Sequence, residues 1–172
     1  MKFTLIALAV VCTSALVIAQ DEQDQIQELF GKGLNAFNKG NYGEAVVFYS
    51  RCIERDSFTM NVWFNRASAY LRMREYSNAK FDLDHILSIQ PELLNAKMQR
   101  AVVHAEMGLV QLAFSDVSDV IKQDSTFPKA YLLRGRLRLR AMQDTAGACD
   151  DLKNAFAAGD STALRFMPPP CR

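Results

Sequence analysis

The 172 residues are 49% hydrophobic and 23% charged, with eight glycines and five prolines. This composition excludes a disordered or collagen-like chain and allows one ordered domain with a core of ordinary size. Lysine and arginine number 20 against 19 acids, which gives no electrostatic case for a nucleic-acid partner.

Residues 1–19 read as an export signal. Lys2 supplies a positive start, residues 3–11 are apolar, and Val17, Ile18 and Ala19 place small or medium side chains before Gln20. As a transmembrane anchor the run is at the short end of what spans a bilayer, and Thr4, Thr13 and Ser14 interrupt it. Cleavage after Ala19 removes Lys2 alone among the charges. It leaves residues 20–172 exported, periplasmic or secreted, with no insertion in a membrane.

From Asp21 the apolar period becomes helical. Ile26, Leu29, Phe30, Gly33, Leu34 and Phe37 fall at steps of three and four before the Lys39-Gly40-Asn41 break. A second helix follows from about Tyr42 to Glu54, with Ala45, Tyr49, Cys52 and Ile53 inward. The next unit, Met60 to Pro91, has two helical faces, a polar break at Arg74-Glu75 and a proline stop. A third runs from Leu94 to about Ser125, with Lys97 where the second unit has Trp63. A fourth starts at Pro128, with Tyr131 in the Trp63 position. Its second helix carries Ala148, Leu152, Ala155 and Phe156 one residue late, so an insertion is expected in the turn at 143–146. A short helix from about Ser161 to Met167 then runs back antiparallel before the proline run 168–170.

These units repeat. Gly33, Ala67, Ala101 and Gly135 share one small-residue position at a step of 34 residues, and Lys32, Arg66, Arg100 and Arg134 share the basic position before it. With the spacing of Trp63, Ala67, Tyr70, Tyr76, Ala79 and Pro91, the pattern resembles the tetratricopeptide repeat. The resemblance covers roughly Ile26 to Ala158. It implies an all-α fold: a right-handed superhelix of four helix-turn-helix repeats (about 26–59, 60–93, 94–127 and 128–160) with a short C-terminal capping helix at 161–172. The small residues have a physical role, since two antiparallel helices approach closely only where the crossing point carries little side chain.

In this family first helices line the concave side. The positions expected there are Phe30, Leu34 and Phe37; Asn61, Phe64, Asn65, Ser68 and Arg72; Asn95, Met98, Gln99 and Val102; and Leu132, Leu133, Arg136 and Arg140. Apolar side chains among them hold those of a partner, while amides pair with an extended backbone. Some members grip chain termini with a carboxylate clamp of Lys, Asn and Arg. Here only Asn65 matches it, with Phe30, Leu34, Asn95 and Gln99 in the other places, so an apolar segment or a partner's helix is the expected ligand. The function implied is a non-enzymatic scaffold that binds a peptide or protein partner. The alternative is a structural or self-assembling component of an envelope complex.

The run from Arg134 to Arg140 places Arg136 and Arg140 on one helical face and Arg134 and Arg138 on another. It reads as a solvated face with some salt bridging. Arg66, Arg100 and Arg134 are expected to pair with Asp82, Asp116 and Asp151 of the same repeat. Neither His85 nor His104 has a second ligand or nucleophile at a recognisable spacing, so no catalytic residue, metal or cofactor is assigned. After cleavage Cys52, Cys149 and Cys171 remain. Cys52 is expected buried, and the returning C-terminal helix brings Cys171 to Cys149 for a disulfide. Ala148 to Ala155, with Ala158-Gly159-Asp160 and Cys171, resembles the ending of small exported repeat proteins of Bacteroidetes-type bacteria.

Overall fold

A computed structural model describes the backbone of residues 2–56 and 59–171 and, within those ranges, the side chains from residue 20 onward except that of residue 170. The side chains on which the export-signal reading of residues 1–19 rests, and residues 57, 58 and 172 of the expected repeat and cap bounds, lie outside it. Among the described residues all regular structure is helical: α1 (Lys2–Asn38), α2 (Tyr42–Arg55), α3 (Met60–Arg72), α4 (Tyr76–Ile89), α5 (Leu94–Glu106), α6 (Val110–Gln123), α7 (Pro128–Leu137) and α8 (Thr145–Ala157). The chain forms two compact units, residues 1–69 and 70–172, with the boundary inside α3. Among the described residues no helix is long and apolar enough to cross a membrane.

In the first unit the C-terminal half of α1 packs on α2 around Ile26, Ala36, Ala45, Tyr49 and Cys52. The crossing point is Gly33: a Cβ built there would lie 2.5 Å from the Tyr49 ring. Tyr49 fills the space that glycine vacates and is fully buried. Cys52 is buried, with its thiol 3.6 Å from the Ile26 carbonyl and its pKa pushed up by burial. Gly33→Ala, which in an exposed helix stabilises by about 1 kcal/mol, should here destabilise by about 1–3 kcal/mol through overpacking. Urea unfolding measures it, and Tyr49→Leu in the same chain should recover most of the loss.

The second unit repeats the device. A Cβ on Gly135 of α7 would lie 3.0 Å from Leu152 of α8, while Ala101 of α5 shares a core with Val117 of α6. Glycine faces the larger partners, Tyr49 and Leu152, and alanine shares its core with the smaller valine. The first helices α1, α3 and α5 close by one local pattern. A residue with positive φ (Gly40, Arg74, Gly108) follows the helix, and the next N–H bonds back five residues, as Leu109 N–H does to the His104 carbonyl at 2.8 Å.

The fourth repeat departs from that pattern, and the expectation of an insertion at 143–146 needs correction. The left-handed residue is Gln143, and Asp144 N–H reaches back six residues to the Arg138 carbonyl at 3.0 Å. The extra residue is taken up before the turn, as a π-helical turn over Arg138–Met142. The capping segment differs too. It is a 3₁₀ turn at Ser161–Arg165, shorter than the helix expected over about 161–167, and beyond it Pro169–Cys171 forms a second 3₁₀ turn. Asp160 starts the first turn by accepting from the Thr162 N–H at 3.0 Å. Ala163, Met167 and Cys171 pack with Leu152 and Ala155, and Cys149 and Cys171 stand with adjacent sulfurs and Cα atoms 5.2 Å apart.

In the second unit charges pin α5 to α6 and α7 to α8. Arg100 on α5 donates twice to Asp116 on α6 (2.9 and 2.7 Å) and once to Asp84 on α4 (2.9 Å). Arg134 donates twice to Asp151 (3.0 and 2.6 Å), which also accepts from Arg138 at 2.8 Å. Arg66, in the first unit, donates to Ser50 at 3.0 Å; Asp82 belongs to the second.

His104 of α5 is 4% exposed, with Nδ1 3.0 Å from an Asp116 oxygen. Burial holds its pKa below the ordinary 6.5, outweighing the pull of Asp116. The unfolded chain therefore gains a proton near that pH while the folded chain does not. Stability should fall as pH drops through about 6.5 and level off below the folded pKa. Melting temperatures at about pH 7.5 and 5.5 check this. His104→Tyr, which puts here the residue found 34 positions earlier at Tyr70, should remove this group's share of the fall.

Candidate functional site

Residues four apart on a helix share a face, so Met98 and Val102 on α5 line up, as do Leu132, Arg136 and Arg140 on α7 and its π turn. In the second unit these two rows face a common cavity of about 740 Å³, within the range of about 300–1,000 Å³ typical of ligand sites. Met98, only 8% exposed, belongs to the floor. Val102, Leu132 and Leu133 are half-buried and present apolar surface to the opening. Charge sits around them: Lys129, Arg136 and Arg140 along the α7 wall, Glu106 at the end of α5, and Asp160 in the turn at 158–162 that closes one end.

The rim is electrostatically uneven. Asp160 spends its carboxylate on the Thr162 N–H and hydroxyl, and Glu106 accepts from the Tyr76 hydroxyl at 3.4 Å. The Arg136 guanidinium lies 4.8 Å over the Phe166 ring, and its Nε is buried without a hydrogen-bond partner. The α7 wall is thus basic above an apolar floor.

The other residues expected on the concave side lie elsewhere. Asn95 is exposed on α5 and Gln99 half-buried, both outside the cavity lining; Arg72 is exposed at the end of α3. In the first unit Phe30 packs against the core with its ring 5.9 Å from Tyr49, and Phe37 meets Tyr42 edge-on at 5.3 Å. Leu34 and Phe64 are half-buried and Asn61 exposed. Asn65 turns its amide to the Asn61 carbonyl at 2.7 Å, inside its own helix. Sequence reasoning missed the end wall at 158–162. Its signal was Gly159-Asp160, a left-handed glycine (φ +99°) followed by a helix-starting aspartate. Among the described residues no three His, Cys, Asp or Glu side chains gather as a metal site.

The family model for the tetratricopeptide repeat matches residues 29–59 and 61–93. Sperm-associated antigen 1 of Homo sapiens is 32% identical over 90 residues, 52% of this chain and 10% of that protein. The tetratricopeptide repeat and J domain-containing co-chaperone DNJ1 of Fusarium oxysporum is 31% identical over 115 residues, 63% of this chain and 22% of that one. The chain spans about a tenth to a quarter of the curated relatives it matches. Among solved structures, MamA from Desulfovibrio magneticus superposes with a TM-score of 0.74 at 16% identity, covering 83% of this chain and 82% of its own. The first TPR of Spaghetti (RPAP3), bound to the HSP90 peptide SRMEEVD, superposes with 0.64 at 22% identity, covering 67% and 92%. These likenesses show the fold: all-helical tetratricopeptide repeats.

Proposed function

We propose that this chain, built of tetratricopeptide repeats, is a non-enzymatic interaction module that holds an apolar segment of a partner protein in the cavity between α5 and α7. One observation carries the reading: Val102, Leu132 and Leu133 line a concave wall whose rim is polar, the arrangement that anchors a partner's apolar side chains by desolvation. The likeness to a repeat domain solved with a bound peptide supports it. The residue that matches the carboxylate clamp, Asn65, bonds to its own helix, which favours an apolar ligand over an acidic chain end.

Export of residues 20–172 to a periplasmic or extracellular site belongs to the same proposal. The apolar leader supports it, as does the resemblance of the 148–171 ending to exported Bacteroidetes-type proteins. In such a compartment Cys149 and Cys171 form a disulfide and Cys52 stays a buried thiol.

The test is co-purification of the tagged chain with its partner, followed by calorimetry on the segment that binds. Leu132→Ala and Val102→Ala should each weaken binding about tenfold, or about 1.4 kcal/mol. Leu112→Ala, on the exposed side of α6, should change it less than about twofold. The opposite ranking would place the partner elsewhere.

A further inference from the structure

The arginines of the second unit divide by what they face. Arg100 and Arg134 each hold a carboxylate with two bonds, and Arg138 meets Asp151, the Gly147 carbonyl and Asp144. Arg136 and Arg140 have no acceptor among the described residues, and both line the cavity. Arg136 is half-buried with an unpartnered Nε. Buried polar atoms are usually paired, with protein or with water, so this one is open to an acceptor.

We propose that Arg136 and Arg140 are a carboxylate-reading pair, so that the partner segment carries an aspartate or glutamate side chain next to its apolar anchor. This rests on the reading of the cavity as the partner site. Guanidinium presents a planar fork that fits a carboxylate with two bonds. The Phe166 ring beneath Arg136 holds that fork in place, which lowers the ordering cost of binding. Arg140 follows one turn later, exposed at the rim and inside the π turn, an irregularity that recurs at functional sites. Lys129 adds a third cation to the wall, while the carboxylate of Asp160 is committed to Thr162. The apolar floor beside the arginines selects an amphipathic protein segment over nucleic acid, and the near-neutral chain offers no wider basic field.

Selection of a random peptide library displayed through its C-termini, so that no free terminal carboxylate exists, tests the pair on the full chain. The wild type should enrich apolar residues with Asp or Glu within a few positions, and Arg140→Glu should enrich Lys or Arg there. A selected peptide should lose at least tenfold in affinity by fluorescence anisotropy when its acid becomes the amide or when Arg140→Glu is introduced. It should lose nothing with Arg165→Glu, an exposed arginine outside the lining, and its free-acid and amidated forms should bind alike. Apolar peptides that depend on Leu132 (lost with Leu132→Asp) but tolerate the amide would overturn the arginine pair and leave the cavity reading standing. A requirement for a free terminal carboxylate would overturn the side-chain source. Enrichment that ignores Leu132→Asp would overturn both readings.

Discussion

Asp151→Ala should lower the unfolding free energy by about 3–5 kcal/mol, the cost of leaving buried charge without its counter-ion. Asp151 is 1% exposed and bridges Arg134 and Arg138, whose side chains are 17% and 22% exposed. Removing it leaves two guanidiniums facing each other in a half-dry site, and because α8 carries the acid, the loss unpins α8 from α7. Urea midpoints check the effect. Asp151→Leu combined with Arg134→Met and Arg138→Met should recover most of it, because apolar side chains of like volume carry no desolvation cost. A single alanine variant within about 1 kcal/mol of wild type would mean that water reaches the cluster and that its geometry is not what holds the last repeat.

Reduction of the proposed Cys149–Cys171 disulfide comes next in size. In the chain-entropy model, closing a loop of 22 residues' separation stabilises by about 3 kcal/mol. The release reaches further than that ledger. Cys171, Met167 and Ala163 pack on Leu152 and Ala155, with Phe166 and Leu132 alongside, so loosening the tail removes the ring under Arg136. A reduced chain, or Cys149→Ser, should melt lower and bind the selected peptide more weakly. Mass spectrometry of unreduced residues 20–172 should find one free thiol, Cys52; three free thiols would contradict the bond.

Helix pairs could be read from the sequence because crossing geometry demands small residues, and Gly33, Ala101 and Gly135 stand where the helices of each unit pack together. The parity of the arginine run was legible for a similar reason: steps of four share a face, so Arg136 and Arg140 had to separate from Arg134 and Arg138. The repeat also marked which face finds acids, because Asp116 and Asp151 keep step with Arg100 and Arg134; what it did not reveal was that Arg138 would join Arg134 on Asp151. The site of the extra residue was hidden as well. The offset between Gly135 and Ala148 bounds it, but hydrogen bonding chose between a longer turn and a π turn, and Arg138, bonded to Asp151 and the Gly147 carbonyl, lies at the start of the latter. Phe30 shows a third limit. Helical period places it beside Leu34, yet Gly33 makes room for the Tyr49 ring, and Phe30 packs half-buried against that ring.

The partner is proposed to sit between α5 and α7. Methyl-labelled NMR of the full chain during titration with the partner segment tests it most directly. The methyls of Met98, Val102, Leu132 and Leu133 should shift and saturate together, while those of Val47, Leu112 and Leu164, exposed outside the lining, stay in place. Saturating shifts at the exposed methyls with the cavity methyls unmoved would contradict it.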